Sequence, residues 1–394
     1  MRIGQEEGKI KINATQLKNL LYLEFSALLA GEPLPPLLIW GDSGVGKTTI
    51  VKNFALELKN KNKDVEFYEY RLGTKTSANV LGLHFVDTNE QKTVRFLNVI
   101  LKEIVKRTTE GKYSILFLDE FSLGWDASNG ILDALNYKEK TLDGHPFDKV
   151  LVVAAGNYIK EFVSRFNPAV WTRFTRVNYE PTPTEVAQYI AEQTGCYHVA
   201  TYLELFPSDL IIKDNVYYKI TPRDWETIAK LCCKSNQIVS ELIALEYDEN
   251  TIRDIIKTKI LSINENIGHS FWEIRNEIDR LPKIEQIIAS PERYLKEDYK
   301  IELYLLYRFM TAPEEFLGNG FLSIFEYYAR MAQEGYRSHV SIALARTAKR
   351  ILTNSAVNTN KIPNKNLPRG DLNKLLKYIA QILDRQDEEQ PITK

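Results

Sequence analysis

One short segment of the chain has residue types and spacing suited to binding a phosphate group. Residues 41–48, with the sequence GDSGVGKT, match the pattern G-x-x-x-x-G-K-[ST]. The glycines permit a turn in which successive backbone N–H groups converge on an anion. A lysine at this spacing can reach the β- and γ-phosphates of a nucleotide, and the threonine hydroxyl that follows can ligate Mg²⁺. The segment therefore predicts a phosphate-binding loop.

The sequence on either side of this loop predicts a strand and a helix that would position it. The apolar run Leu37–Trp40 is typical of a buried strand, and residues 49–58 have apolar side chains at helical spacing. Such a helix directs the positive end of its dipole towards the bound phosphate. The residues predicted to bind the nucleotide are Gly41, Asp42, Ser43, Gly44, Val45, Gly46, Lys47, Thr48 and Thr49.

A pair of carboxylates follows a second apolar run. Residues 115–118 are apolar and end in Asp119 and Glu120. A buried strand would hold both acids at the sheet edge where the phosphate loop also opens. Asp119, together with Thr48, is then expected to hold Mg²⁺, and Glu120 to polarise the attacking water as a general base. Asp-Glu also occurs at ordinary solvated strand ends, so this assignment depends on the loop upstream.

Three polar side chains further along the chain could complete such a site. The apolar run 150–155 leads to Asn157, whose amide could hydrogen-bond both the attacking water and the γ-phosphate. Arg173 precedes an alternating run typical of a strand, and Arg223 lies in the first turn of a predicted helix. Taken singly, an asparagine after a glycine is usually a turn residue, and an isolated arginine is usually a surface ion-pair partner.

The order of these features along the chain resembles that of the AAA+ ATPases. The resemblance covers roughly residues 17–245 and implies an enzyme that uses ATP and Mg²⁺. It further implies that Asn157 corresponds to sensor 1, Arg173 to the arginine finger and Arg223 to sensor 2.

One position departs from the pattern of that superfamily. An acidic residue often precedes the Arg-Phe pair of the finger, whereas Thr172 precedes Arg173 here. This departure leaves Arg165 and Arg176 as alternatives for the role of finger.

Within the superfamily, the chain resembles the MoxR/RavA-like, dynein-related branch and its phage and archaeal-virus relatives. Residues 136–147 contain an Asp-Gly turn that predicts a β-hairpin, similar to the insert that the branch carries before sensor 1. Residues 73–86 resemble the segment that carries its helix 2 insert. The branch implies a hexameric ring in which Arg173 acts on a neighbour's nucleotide. It also implies a protein substrate and a von Willebrand A-domain partner.

Strands alternate with helices over the first part of the chain, which is typical of a parallel sheet. The predicted fold class is α/β: a P-loop NTPase αβα sandwich with a parallel sheet, a helical lid and a helical C-terminal region. The predicted domains are the ATPase core at 1–182, the lid at 183–245 and the C-terminal extension at 246–394.

Composition excludes some other functional classes. A formal net charge of −1 gives no global electrostatic reason to expect nucleic acid or an anionic membrane as a partner. The three cysteines lack metal-ligand spacing, which favours reduced, packed thiols. Neither a signal core nor a membrane-spanning apolar run is found, and we expect a cytoplasmic protein.

Three functions remain open at the level of the substrate. Remodelling of protein complexes, in the manner of MoxR-type chaperones, is favoured. A nucleic-acid motor in restriction, replication or packaging is the alternative, because nine basic residues but one acid lie between Tyr336 and Lys377. A solvated face or a surface for an acidic protein would explain the same charges. The third function is that of an assembly switch, in which ATP only controls whether the ring forms.

Overall fold

The computed structural model divides the chain into two compact units, Met1–Thr182 and Pro183–Lys394. It describes residues 10–61, 63–73, 83–87, 92–123, 135–136, 138, 141–142, 144–157, 169, 172–214, 217–232, 237–295, 298–312, 321–334, 338–357 and 369–383. Among these residues, no helix has the length and apolar character needed to cross a membrane.

The first unit is built on a six-stranded sheet in which every neighbouring pair of strands is parallel. The strands described in this unit are β1 (Lys11–Ile12), β2 (Leu37–Trp40), β3 (Val65–Arg71), β4 (Leu83–Asp87), β5 (Lys92–Phe96), β6 (Tyr113–Asp119), β7 (Thr141–Leu142), β8 (His145–Pro146), β9 (Val150–Gly156) and β10 (Thr175–Tyr179). The order in the sheet is β1-β10-β2-β9-β6-β3. Strand β2 is therefore internal, which explains why all four of its residues are apolar and buried.

Three described helices accompany this sheet: α1 (Ala14–Leu29), α2 (Lys47–Asn60) and α3 (Val99–Thr109). A reciprocal pair of hydrogen bonds between Asn13 and Gln16 begins α1. Helix α3 follows strand β5 after a short break. Phe96 ends β5, and the helix begins at Val99 because the Asn98 side chain accepts the N–H of Leu101.

Two antiparallel hairpins extend the first unit. The predicted hairpin within 136–147 is confirmed for its described residues, because β7 pairs with β8 and Gly144 has a positive φ of 77°. The second hairpin, β4 with β5, was not predicted from the sequence. Strand β4 overlaps the end of the segment 73–86, which resembles the helix 2 insert, and residues 74–82 of that segment are outside the described part of the chain.

The second unit is mainly helical and has a hydrophobic core of its own. Its described helices are α4 (Pro183–Thr194), α5 (Tyr197–Leu205), α6 (Pro222–Cys232), α7 (Gln237–Ala244), α8 (Glu249–Ile263), α9 (Glu265–Ile278), α10 (Ile284–Ala289), α11 (Pro291–Tyr294), α12 (Tyr299–Thr311), α13 (Phe321–Gln333), α14 (His339–Val357) and α15 (Arg369–Leu383), with a 3₁₀ turn at Pro207–Leu210.

Two details of the second unit bear on the sequence predictions. The segment predicted as a helical lid also contains an antiparallel hairpin, β11 (Ile212–Asp214) with β12 (Tyr217–Ile220). Cys196 and Cys232 are buried, as predicted for packed thiols, and Cys233 lies outside the described residues. The predicted fold class is confirmed: a parallel-sheet αβα core followed by a largely helical region.

Candidate active site

Parallel pairing brings the predicted site residues to one edge of the sheet. Trp40, the last residue of β2, pairs with Gly156 at the end of β9, and Leu118 of β6 pairs with Ala154. The loop after β2, the acids that end β6 and the residue after β9 therefore emerge side by side. This is the carboxyl edge of the sheet, where ligands bind in open α/β folds.

The phosphate loop depends on glycine at two positions for different reasons. Gly41 has no room for a side chain, because a Cβ there would lie 2.6 Å from the carbonyl oxygen of Tyr179 at the end of β10. Gly46 has a φ of 92°, a left-handed conformation that disfavours other residues. Gly46 immediately precedes α2 and has no side chain that could accept the first N–H groups of that helix. These N–H groups are therefore available to an anion bound in the loop.

Lys47 connects the loop to the neighbouring strand end. Its Nζ donates hydrogen bonds to the carbonyl oxygens of Gly41 at 3.0 Å and Asp42 at 2.7 Å, and to Oδ1 of Asn157 at 2.8 Å. Lys47 is only 8% exposed. Because these three oxygens are uncharged, a phosphate in the loop would bind the ammonium more strongly than they do. The structure thus brings together two residues that are 110 positions apart.

The acids at the end of β6 face the other side of the loop. The Thr48 hydroxyl donates to Oδ2 of Asp119 at 2.8 Å, while Oδ1 of Asp119 accepts the backbone N–H of Glu120 at 2.8 Å. Glu120 is exposed and has a φ of 54°, a left-handed conformation that costs a non-glycine residue about 1–2 kcal/mol. Strain of this kind concentrates at functional sites.

Two residues that sequence reasoning missed hold these groups in place. Ser122, which is 1% exposed, accepts the backbone N–H of Asn157 at 3.2 Å through its hydroxyl. Gly73 leaves space for Glu120, because a Cβ at position 73 would lie 2.5 Å from Oε2 of that residue. Ser122 follows Glu120 by two positions, but a serine there has no motif to mark it. Gly73 is distant in sequence and adjacent only through the pairing of β3 with β6.

Arg173 lies at the opposite edge of the sheet from this site. Thr175 begins β10 and pairs with Leu37 at the start of β2, whereas Asn178 pairs with Trp40 at its end. An arginine that precedes β10 is therefore separated from the phosphate loop by the length of the strand, roughly 10 Å or more. Its Nη1 donates to the carbonyl oxygen of Ala169 at 2.7 Å.

The remaining arginines are placed as follows. Arg176 is an exposed residue of β10, and Arg165 lies outside the described residues. Arg223 belongs to the second unit, where it is an exposed residue in the first turn of α6. That turn is held by Asp224, whose carboxylate accepts both the backbone N–H and the hydroxyl of Thr221. The roles of these arginines stay predictions.

A buried lysine in a glycine-rich loop lies beside strand-end carboxylates at the carboxyl edge of a parallel sheet. This is the arrangement of a P-loop nucleoside triphosphatase. The family can be stated more closely. Residues 37–182 match the model of the ATPase family associated with various cellular activities (AAA). This segment is thus an AAA ATPase domain, and the reaction it implies is hydrolysis of ATP.

Comparisons of the whole chain with solved structures find distant similarities. The chain is similar to the Aeropyrum pernix ORC2 protein in its ADPNP–ADP complexes, at 15% identity, with coverage of 96% of this chain and 88% of that chain and a TM-score of 0.35. It is also similar to the Aeropyrum pernix ORC1 protein in complex with DNA, at 14% identity, with coverage of 95% of this chain and 94% of that chain and a TM-score of 0.38. A third similar structure is the Thermotoga maritima RuvB Holliday junction branch migration motor, at 18% identity, with coverage of 67% of this chain and 70% of that chain and a TM-score of 0.30. No curated protein matches. Similarity at this level does not carry over substrates or partners.

Proposed function

We propose that the protein is a cytoplasmic AAA+ ATPase of the MoxR type that works as a hexameric ring and remodels protein complexes. The observation that supports the ring is the position of Arg173 at the amino edge of its own sheet. An arginine there is remote from the phosphate loop of its own subunit. It can act in ATP hydrolysis only on the nucleotide of a neighbouring subunit.

The chemistry of the proposed site divides among four side chains. Lys47 binds the β- and γ-phosphates of ATP together with the amides that begin α2. The Thr48 hydroxyl and the Asp119 carboxylate, 2.8 Å apart, are the hard oxygen donors that Mg²⁺ requires. Mg²⁺ held by these two residues would neutralise the charge that develops on the phosphate. Glu120 accepts a proton from the water that attacks the γ-phosphate, and ADP leaves with the bond to that phosphate broken.

Asn157 is proposed to report the presence of the γ-phosphate. Its amide oxygen accepts from Lys47 in this structure, so a phosphate that draws the ammonium away frees the amide to bind the phosphate or the attacking water. Ser122 fixes the backbone of Asn157 during this exchange. Arg223 is proposed to couple the bound nucleotide to the second unit, so that ATP hydrolysis changes the angle between the sheet domain and the lid.

The protein substrate is proposed from the hairpin β7–β8. Gly144, His145 and Pro146 at its tip are exposed, and the hairpin immediately precedes β9, which ends at Asn157. A movement of Asn157 on hydrolysis would therefore be transmitted along one strand to an exposed tip. A von Willebrand A-domain protein is the partner proposed from the resemblance to the MoxR branch.

Assembly provides the test of this function. We expect Glu120→Gln to be a monomer or small oligomer without nucleotide and to form a ring of about six subunits in ATP, measured by light scattering after size exclusion. Trapped with ATP, the same variant should retain protein substrates, identified by cross-linking. Lys47→Ala, which lacks the phosphate ligand, is the matched control and should do neither. A Glu120→Gln protein that stays monomeric in ATP would contradict the proposal.

The basic segment between Tyr336 and Lys377 favours the alternative, a nucleic-acid motor. Arg346 and Lys349 are exposed on one face of α14, and Lys374 and Lys377 are exposed on α15. No aromatic residue lies between these positions in the sequence to stack on bases. Such a surface binds acidic protein as readily as phosphate backbones.

We therefore expect weak DNA binding that this segment does not control. The measurement is fluorescence anisotropy with single- and double-stranded DNA at low and physiological salt. Charge reversal at Arg346, Lys349 and Arg350 should change the affinity by less than about threefold at physiological salt. Tight binding that collapses in the triple variant would establish the nucleic-acid motor in place of the protein-remodelling function.

A further inference from the structure

A small cavity lies at the amino edge of the sheet, at the opposite end of the strands from the nucleotide site. Its volume is about 30 Å³, enough for one or two species of the size of water. Helix α1, the loop before β2, the first residues of β9 and the foot of the β7–β8 hairpin enclose it. The residues that define its chemistry are Glu24, Pro36, Asn136, Thr141, Phe147 and Asp148.

The unusual member of this lining is Glu24. It lies on the buried stripe of α1 with Leu21, Phe25 and Leu28, and it is only 6% exposed. Within the described part of the chain, its carboxyl has neither a hydrogen-bond donor nor an ion-pair partner. A buried carboxylate without a partner destabilises the fold substantially. Accordingly, burial raises the pKa of Glu24 to about 7.

The charges around the cavity are all of one sign. Asp148, exposed at the mouth, is the other ionisable group in the lining, and no lysine, arginine or histidine of the described chain lines the cavity. Asn136 and Thr141, whose side chains carry neutral oxygens, belong to the same lining. The remaining wall is apolar, formed by proline, leucine, valine and phenylalanine side chains. Among the described residues, the lining of the cavity therefore contains carboxyl groups and neutral side chains but no cation.

We propose that the cavity binds one compact monovalent cation, of the size of potassium or ammonium, with Glu24 as the charged ligand and Asn136 and Thr141 as neutral ones. The charge limits the choice. The one buried carboxylate balances a single positive charge, whereas a divalent cation would bring a second charge that no other buried carboxyl of the described lining balances. A bound cation joins α1 to the foot of the hairpin, and so holds the hairpin against the sheet.

The experiment measures local hydrogen exchange and thermal unfolding of the full chain in chloride salts at one constant ionic strength. Potassium and ammonium are compared with choline, which is too large to enter. At about pH 8.5, where Glu24 is ionised, we expect potassium to slow exchange in α1 and at the start of β9 several-fold and to raise the unfolding temperature by about 3 °C. At about pH 5 the effect should vanish, because a proton then occupies the carboxyl.

Two variants separate this site from a general salt effect. Glu24→Gln should lose the response to potassium and be more stable than the wild type in choline at the higher pH, since it removes the buried charge. Glu32→Gln, an exposed carboxyl beyond the end of α1, is the matched control and should respond as the wild type does. Asn136→Ala should need several-fold more potassium for the same protection.

The proposal is overturned by equal protection in potassium and choline, which would mean that Glu24 takes only a proton. A potassium response that survives in Glu24→Gln, or a larger response to Ca²⁺ than to potassium at equal ionic strength, overturns it as well. None of these outcomes tests the phosphate-binding residues, because the phosphate loop lies at the other edge of the sheet.

Discussion

Lys47→Ala is expected to abolish ATP binding, whereas Glu120→Gln is expected to bind ATP normally and fail to hydrolyse it. Lys47 is buried and converges with the loop amides on the ground-state phosphates, so its loss should weaken ATP binding by at least about a hundredfold. Glu120 acts on water rather than on ATP. Its replacement should leave the dissociation constant within about twofold and lower kcat by roughly 10²–10⁴-fold. Equilibrium nucleotide binding and phosphate release measure the two effects separately.

Controls for both variants come from the same unit. Lys59→Ala removes a lysine from the last turn of α2, where it pairs with Glu66 on the surface, and should change neither binding nor turnover. Gly73→Ala should act like a mild form of Glu120→Gln, because the added Cβ displaces the carboxylate and touches no phosphate ligand. Full turnover in Glu120→Gln would remove this residue from the role of base.

The parts of the site that could be predicted from the sequence are those held by local geometry. The phosphate loop, its strand and its helix follow one another directly, so one contiguous segment specifies the whole anion site. The strand that ends in Asp119 is likewise marked by its own apolar run. Placing both at one sheet edge needs only the rule that parallel strands share an edge at their carboxyl ends.

The contacts that could not be predicted join segments distant in sequence. The hydrogen bond between Lys47 and Asn157 depends on β2 lying next to β9, a strand order that no local pattern encodes. The space that Gly73 leaves for Glu120 depends in the same way on the pairing of β3 with β6. Glu24 shows the reverse problem, since helical spacing places it on the buried stripe although its residue type predicts an exposed position.

Arg173→Ala is expected to leave ATP affinity within about twofold of the wild type and to lower ATP turnover by roughly a thousandfold or more. The ground-state phosphates are bound by Lys47 and the loop amides, which the substitution does not touch. An arginine finger stabilises charge that develops on the phosphate oxygens only in the transition state, so its loss lowers kcat. Nucleotide binding by equilibrium titration and steady-state phosphate release provide the two measurements.

Mixing experiments decide whether Arg173 acts across a subunit boundary. Arg173→Ala and Lys47→Ala proteins, each inactive alone, should regain part of the ATPase activity once mixed and reassembled, because one subunit supplies the arginine and the other the intact loop. Wild-type activity in Arg173→Ala, with loss in Arg165→Ala or Arg176→Ala, would transfer the role to that residue. If no mixture recovers activity and the protein stays monomeric in ATP, the ring itself is excluded. The position of Arg173 at the far edge of its own sheet would then need another explanation.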